Sequence, residues 1–159
     1  MKFAYAHDHA MNVKNVLGQY CKRIEIAGSI RRKCEDVNDI EIVCIPDIAR
    51  WGLEFVRLVK SWPKKIGEPT GKYTRRALPC GMALDLFMCQ PENWGLIYLV
   101  RTGSRNFSTR IVGVELPRAG YYSNDGFAWR GKEKIVTREE VDVFDLVGMK
   151  FIDPEDRKF

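Results

Sequence analysis

The segment of residues 39–45 constrains the fold more than any other part of this 159-residue chain. Its sequence, DIEIVCI, alternates polar and apolar side chains and is ended by Pro46, a pattern typical of a β-strand with one buried face. Because residues i and i+2 of a strand point to the same side, Asp39 and Glu41 present two neighbouring carboxylates while Ile40 faces a core. The sequence therefore predicts a sheet that carries an acidic pair on one face. Alone, such a pair is most often an exposed strand face.

A third carboxylate, Asp85, lies in the middle of a second predicted strand, ALDLFM over residues 83–88. A carboxylate among buried residues costs several kcal/mol unless it is paired or binds a metal. If the two strands are neighbours, Asp39, Glu41 and Asp85 bring together the oxygen ligands that Mg²⁺ prefers. Two such ions, roughly 3.5–4 Å apart, activate an attacking hydroxyl and neutralise a leaving pyrophosphate.

A short glycine- and arginine-containing segment precedes the acidic strand. Gly28 and Ser29 follow a predicted strand over residues 24–27 and open a short helical turn that carries Arg32. Small residues let backbone amides approach phosphate oxygens, a helix start favours anions, and an arginine fork adds fixed charge. The order GS-x-R-R and then D-I-E predicts a phosphate-binding segment beside a metal site.

Composition limits the classes of function. The net charge of +5 comes from 26 basic and 21 acidic residues, and the basic residues cluster in loops and at strand ends, which favours a polyanionic partner. The apolar runs are far shorter than the roughly 20 residues that span a bilayer, and no secretion signal is evident at the start, so we expect no membrane association and a cytoplasmic or virus-encoded intracellular protein. Five cysteines without a CxxC pair argue against a disulfide framework or a zinc ribbon, and His7 and His9 suit an exposed helix start better than a metal site.

Hydrophobic periodicity predicts an α+β chain. Helices are expected over residues 8–23, 30–33, 50–62, 94–101, 107–116 and 137–147, the last opened by a capping box of Thr137 and Glu140, and hairpins over 72–89 and 121–129. We expect a palm domain of mixed β-sheet packed on helices over residues 1–100 and a small α+β terminal lobe over residues 101–159.

Together these segments resemble the family X DNA polymerases, the group that contains DNA polymerase beta. The resemblance rests on GSIRRKCEDVNDIEI (28–42), LDLFMCQPENWGLIYLVRTGSRNF (84–107) and residues 121–157, in the order and approximate spacing of the family. It implies a nucleotidyltransferase palm followed by a terminal lobe that binds nucleotide and DNA.

The resemblance also implies roles for individual residues. Asp39 and Glu41 would bind both metal ions, and Asp85 would bind the catalytic ion and accept or orient the proton of the primer 3′-hydroxyl. The triphosphate would lie on Gly28, Ser29 and Arg32. From the later segment, the residues expected near the sugar and the nascent base pair are Thr102, Gly103, Ser104, Phe107 and Ser108, with a cis peptide between Gly103 and Ser104 as is typical of the family.

The chain departs from the family at three places. Val100 and Arg101 stand where an aromatic residue usually precedes TGS, which leaves ribonucleotide use open. Ala83 stands where an arginine is common, two residues before the third carboxylate, so that Arg75 or Arg76 of the preceding strand is expected to compensate. Only 27 residues precede Gly28, too few for the lyase and helix-hairpin-helix domains of larger members.

The sequence thus favours a DNA polymerase that uses two Mg²⁺ ions, with Mn²⁺ as an expected substitute, and fills short gaps in DNA repair. Its expected partners are primer–template or gapped DNA and a (deoxy)nucleoside triphosphate, and we expect a monomer. Template-independent transfer to a nucleic-acid end or a protein is the alternative enzyme. A third hypothesis, an inactive basic nucleic-acid-binding module, gives no reason for three clustered carboxylates.

Overall fold

The computed structural model describes residues 1–157, which fold as two compact units. The first unit is Met1–Cys89 and the second begins at Gln90. The division expected after residue 100 falls inside a helix, Trp94–Thr102, which lies whole within the second unit. A helix with apolar residues along its length packs as one piece, so the boundary lies before this helix rather than within it.

A five-stranded mixed sheet organises the first unit. Its strands are β1 (Cys21–Ile26), β2 (Asp39–Pro46), β3 (Lys64–Gly67), β4 (Tyr73–Ala77) and β5 (Ala83–Met88), in the spatial order β1-β2-β5-β4-β3. The pair β2–β5 is parallel, whereas β1–β2, β4–β5 and β3–β4 are antiparallel. The two carboxylate-bearing strands are therefore neighbours at the centre of the sheet.

The helices of this unit lie on one face of the sheet. They are α1 (Phe3–Gly18), the short α2 (Gly28–Arg31) and α3 (Ile48–Ser61). The core joins Leu17 of α1 and Phe55 of α3 to alternate strand residues such as Ile40, Leu84 and Leu86, all fully buried. The residues between these positions, Asp39, Glu41 and Asp85 among them, point to the other face of the sheet.

The second unit is built from short helices and a small sheet. Its helices are α4 (Trp94–Thr102), α5 (Arg105–Arg110), a π-helical turn (Ile111–Glu115), α6 (Leu116–Arg118) and α7 (Glu140–Leu146). Its antiparallel sheet has the order β6 (Tyr122–Asn124), β7 (Phe127–Arg130), β8 (Glu133–Ile135). The core of the unit contains Leu96, Leu99, Phe107, Ala128 and Phe144.

The α+β class and both hairpins agree with the sequence analysis, but several boundaries differ. Helix α1 begins at Phe3 rather than at residue 8, because Ala6 and Ala10 extend its buried stripe towards the N-terminus. It ends at Gly18, since Cys21 and the residues after it pair with β2. The edge strands β3 and β8 were not predicted, because each has fewer than five residues and too little alternation to show.

The predicted capping box of Thr137 and Glu140 is wrong. Helix α7 is capped two residues later by a reciprocal pair, Glu139 and Asp142. Thr137 is fully buried, and its hydroxyl accepts a hydrogen bond from the backbone N–H of Leu96. No helix within residues 1–157 is both long and apolar enough to cross a membrane.

Candidate nucleotidyltransferase site

Three carboxylates emerge from neighbouring strands on the face of the sheet opposite the helices. In the parallel pair β2–β5, Glu41 lies directly opposite Asp85, and Asp39 lies opposite Ala83. The Asp85 side chain is only 8% exposed, whereas that of Asp39 is 30% exposed. The site therefore contains one deeply buried carboxylate and one that solvent reaches.

Strand β4 supplies the partners of Asp85. Arg75 lies opposite Asp85 in the antiparallel register, and its guanidinium donates from Nη1 to Asp85 Oδ2 at 2.7 Å and from Nη2 to Asp39 Oδ2 at 3.4 Å. Tyr73, two residues earlier on the same face, donates its hydroxyl to Asp85 Oδ1 at 2.6 Å. Both oxygens of Asp85 thus have protein donors, and one arginine links two carboxylates.

Of the two arginines expected to compensate for Ala83, only Arg75 lies at the carboxylates. Arg76 points to the opposite face of β4, where it is 2% exposed and donates to the Thr74 hydroxyl and the Gly67 carbonyl. Its guanidinium also lies 3.5 Å from Glu68. Alternation along the strand decides the assignment, because Arg75 shares a face with Asp85 and Arg76 does not.

The environment of Asp85 raises its pKa above the ordinary carboxyl range. Burial is the main cause, since it disfavours the charged form, and the nearby negative charge of Asp39 acts in the same direction. The Tyr73 hydrogen bond and the Arg75 charge oppose the increase without cancelling it. A carboxyl group with a raised pKa is a better proton acceptor near neutral pH than an ordinary aspartate.

Gly28 lies against the carboxylate of Glu41. Its φ of +60° favours glycine, and an ideal Cβ at this position would overlap the Glu41 carboxylate. The preceding residue, Ala27, donates its backbone N–H to the Glu41 carbonyl at 2.8 Å, which holds the β1–α2 turn against β2. Ser29 and Arg32, half-buried, follow in and after this turn. The turn proposed for phosphate therefore adjoins the acidic strand.

We expect Gly28→Ala to lower nucleotide incorporation at least about tenfold, because the new methyl group must displace the Glu41 carboxylate, and a displacement near 1 Å can cost about that much or more. Gly81→Ala is the matched control, since Gly81 also has a positive φ, +84°, but nothing lies within 4 Å of its ideal Cβ. Both variants place alanine at a positive φ, and Gly28→Ala should lose more stability because of the overlap, so activity is compared at a temperature at which thermal unfolding shows both proteins to be folded. Equal activity of the two variants would contradict a role for Gly28 in placing Glu41.

The residues predicted in the second unit divide into half-buried and buried groups. Thr102, Gly103 and Phe107 are buried, Phe107 within the core of the unit. Ser104 begins α5 and accepts a hydrogen bond from the Phe107 backbone N–H at 3.3 Å, and Ser108 donates its hydroxyl to the Val100 carbonyl at 2.8 Å. The peptide between Gly103 and Ser104 is cis, as expected.

The expectation that Phe107 lies near the nascent base pair stays a prediction, but its side chain belongs to the core of the second unit. The ring is fully buried, 6.2 Å from the ring of Phe144 and beneath the guanidinium of Arg157, so it stabilises the start of α5 from inside. The Thr102 side chain is also fully buried. Ser104, between these buried positions, is half-buried.

No protein-family model and no curated protein matches the sequence. Two crystal structures of Leishmania infantum polymerase beta match the whole chain. For the ternary P/T complex the TM-score is 0.76 at 20% identity, with 77% of that chain covered. For the ternary gap complex the TM-score is 0.77 at 19% identity, with 71% covered. The chain has the polymerase beta fold. This agrees with the resemblance to family X polymerases found in the sequence.

The donors that the polymerase beta fold brings together here suit Mg²⁺ in kind, because all three are hard carboxylate oxygens on adjacent strands. In this structure two of the three, Asp39 and Asp85, are held by hydrogen bonds to the Arg75 guanidinium. Within residues 1–157, no group of three or more His, Cys, Asp or Glu side chains is placed to hold a metal ion. Two contacts account for this. The Arg75 guanidinium lies between Asp39 and Asp85, and the Glu41 carboxylate lies against Gly28.

Within this fold, the raised pKa of Asp85 also predicts how stability depends on pH. A carboxyl group whose pKa is higher in the folded than in the unfolded chain binds protons more tightly when folded, so its contribution to stability falls as the pH rises through the folded-state pKa. Asp85→Asn should therefore gain stability relative to wild type as the pH is raised from about 4 to 7. Thermal unfolding across this range measures the stability of Asp85→Asn minus that of wild type. A value that decreases as the pH rises would contradict a raised pKa at Asp85.

Proposed function

We propose that this protein is a DNA polymerase that adds nucleotides to a DNA 3′-hydroxyl by metal-dependent phosphoryl transfer. The observation that carries the proposal is the placement of Asp39, Glu41 and Asp85 on one face of adjacent strands within a polymerase beta fold. Binding of nucleic acid alone would not require a buried carboxylate such as Asp85 at this position.

Asp39, Glu41 and Asp85 would hold two Mg²⁺ ions, or Mn²⁺ in their place. When bound, the ions lower the pKa of the attacking hydroxyl and neutralise charge on the phosphates. Asp85 is suited to take the proton of the 3′-hydroxyl, because burial has raised its pKa. The hydroxyl oxygen then forms a bond to the α-phosphorus, the bond to the bridging oxygen breaks, and pyrophosphate leaves with the electron pair.

The remaining residues would bind and orient the nucleotide. Gly28 and Ser29 lie in the turn beside Glu41, where backbone and hydroxyl donors suit phosphate oxygens, and Arg32 adds a guanidinium. In the second unit, Gly103 and Ser104 are proposed to pass close to the sugar. Thr102, Phe107 and Ser108 would support this segment from the interior.

The proposed substrates are primer–template or gapped DNA and a deoxynucleoside triphosphate. The two similar structures are ternary P/T and gap complexes of polymerase beta, which supports this choice. We propose short-gap filling in DNA repair as the biological role, and a monomeric intracellular enzyme. The net charge of +5 favours the polyanionic partner.

Incorporation on one-nucleotide-gapped DNA tests the proposal. Four substrates that differ only in the template base are each incubated with Mg²⁺ and all four nucleotides. An Asp39→Asn/Glu41→Gln double variant serves as the inactive control. Glu54→Gln is the matched control, because Glu54 is an exposed carboxylate on α3, on the helix side of the sheet.

The proposal predicts magnesium-dependent incorporation by wild type and Glu54→Gln, with the added nucleotide complementary to the template base, and none by the double variant. Incorporation that ignores the template base would instead identify a template-independent transferase. No incorporation above the double variant would reject both enzymes.

A further inference from the structure

We propose that Tyr73 is a positioning residue for Asp85, and that it fixes which oxygen of this carboxylate faces Asp39. This inference rests on the proposed function. It concerns a residue to which the sequence analysis assigned no role, and it follows from three contacts that meet on the face of the sheet opposite the helices.

The first contact is the hydrogen bond itself. The Tyr73 hydroxyl lies 2.6 Å from Asp85 Oδ1, within the range of a charge-assisted O–H···O⁻ bond. Such bonds are roughly twice as strong as bonds between neutral groups. Because Asp85 is 8% exposed, water competes little for this oxygen. The hydroxyl therefore restrains rotation of the carboxylate.

The second contact holds the tyrosine. Tyr73 lies opposite Phe87 in the β4–β5 register, and the two rings stack with centroids 5.0 Å apart and an interplanar angle of 22°. The ring is thus fixed by a buried neighbour on the strand that carries Asp85. A hydroxyl on a fixed ring can define the direction of its acceptor.

The third contact shows which oxygen of Asp85 lies on the side of Asp39. Arg75 joins Oδ2 of Asp85 to Oδ2 of Asp39, so Oδ2 is the oxygen that faces the neighbouring carboxylate. Tyr73 donates to Oδ1, while Oδ2 is the oxygen that the Arg75 guanidinium links to Asp39. The Tyr73 hydroxyl is neutral, so it orients Asp85 without cancelling the negative charge of the carboxylate, which a divalent cation requires. The guanidinium of Arg75 does cancel that charge.

Tyr73→Phe tests the inference, because it removes the hydroxyl and keeps the ring that stacks on Phe87. We expect a roughly 10–100-fold decrease in kcat with KM for the nucleotide within about twofold, and Mn²⁺ affinity weakened roughly tenfold in an electron paramagnetic resonance titration. The melting temperature should change little. Tyr5→Phe is the matched control, since Tyr5 donates a long, 3.5 Å hydrogen bond to the Cys80 carbonyl on the helix side of the sheet.

The measurements separate this inference from the proposed function. If wild type incorporates no nucleotide but Tyr73→Phe still weakens Mn²⁺ binding, the function is rejected and the positioning role stands. If wild type is active and Tyr73→Phe matches Tyr5→Phe in kcat and Mn²⁺ affinity, the positioning role is overturned. A decrease in melting temperature that accounts for the whole loss of activity overturns it as well, because Tyr73 would then only stabilise the sheet.

Discussion

Asp85→Asn should reduce the rate of nucleotide incorporation by at least about 10²–10⁴-fold, the contribution typical of a positioned proton acceptor. The amide cannot accept the proton of the 3′-hydroxyl, and it removes one of the three charges proposed to hold the metal ions. Asp85 is the residue for which we expect the largest effect, because its raised pKa suits a proton acceptor and its carboxylate lies on the face that carries Asp39 and Glu41. Single-turnover incorporation on gapped DNA with saturating nucleotide measures the rate.

Two comparisons make this result interpretable. Glu54→Gln removes an exposed carboxylate and should retain the wild-type rate. Asp85→Asn should unfold at a temperature no lower than wild type near neutral pH, since the buried charge has been removed. A folded Asp85→Asn protein with more than about a tenth of the wild-type rate would show that Asp85 is not the proton acceptor, since that role is worth at least about 10²-fold.

The largest expected effect on stability is at Arg157. Its guanidinium is fully buried, donates to Glu140 Oε1 at 2.8 Å and to the Ile152 carbonyl at 2.9 Å, and lies over the ring of Phe107. Arg157→Met should destabilise the second unit by about 3–5 kcal/mol, because it leaves the charge of Glu140 buried without its partner. Urea unfolding followed by fluorescence of Trp94 and Trp129 measures this loss.

The double variant Arg157→Met/Glu140→Gln should recover much of the stability, since no uncompensated charge is then left. Additive losses in the double variant would contradict the account of a charge pair and would point to packing of the arginine against the rings. Activity could fall as well, because the Arg157 carbonyl accepts a hydrogen bond from the Ser104 backbone N–H at 3.3 Å.

The two strands that carry the carboxylates were predictable because the pattern that identifies each of them is local. Alternation in DIEIVCI and ALDLFM determines which side chains share a face, and the turn at residues 79–81 determines that β4 and β5 form a hairpin. The parallel pairing that sets Glu41 opposite Asp85 joins residues 44 positions apart. The sequence alone does not show that these two strands are neighbours, so the site was predicted only for the case that they are.

The other contacts of Asp85 depend on register, which the sequence does not reveal. Arg75 and Arg76 were equal candidates until the structure showed which one shares the face of Asp85. Tyr73 was missed, although its position two residues before Arg75 was the available signal. Arg157 was not predicted as a buried residue, because its burial depends on Glu140, 17 residues earlier.

Binding of Mn²⁺ in the presence of a non-hydrolysable nucleotide tests the central claim most directly, namely that the carboxylates of β2 and β5 act together as one cation site. Electron paramagnetic resonance titration of wild type, Asp39→Asn, Asp85→Asn and Glu54→Gln gives four affinities to compare. The account predicts that the Asp39 and Asp85 variants each bind Mn²⁺ more weakly by about tenfold or more, while Glu54→Gln matches wild type. Equal affinities in all four proteins would contradict it.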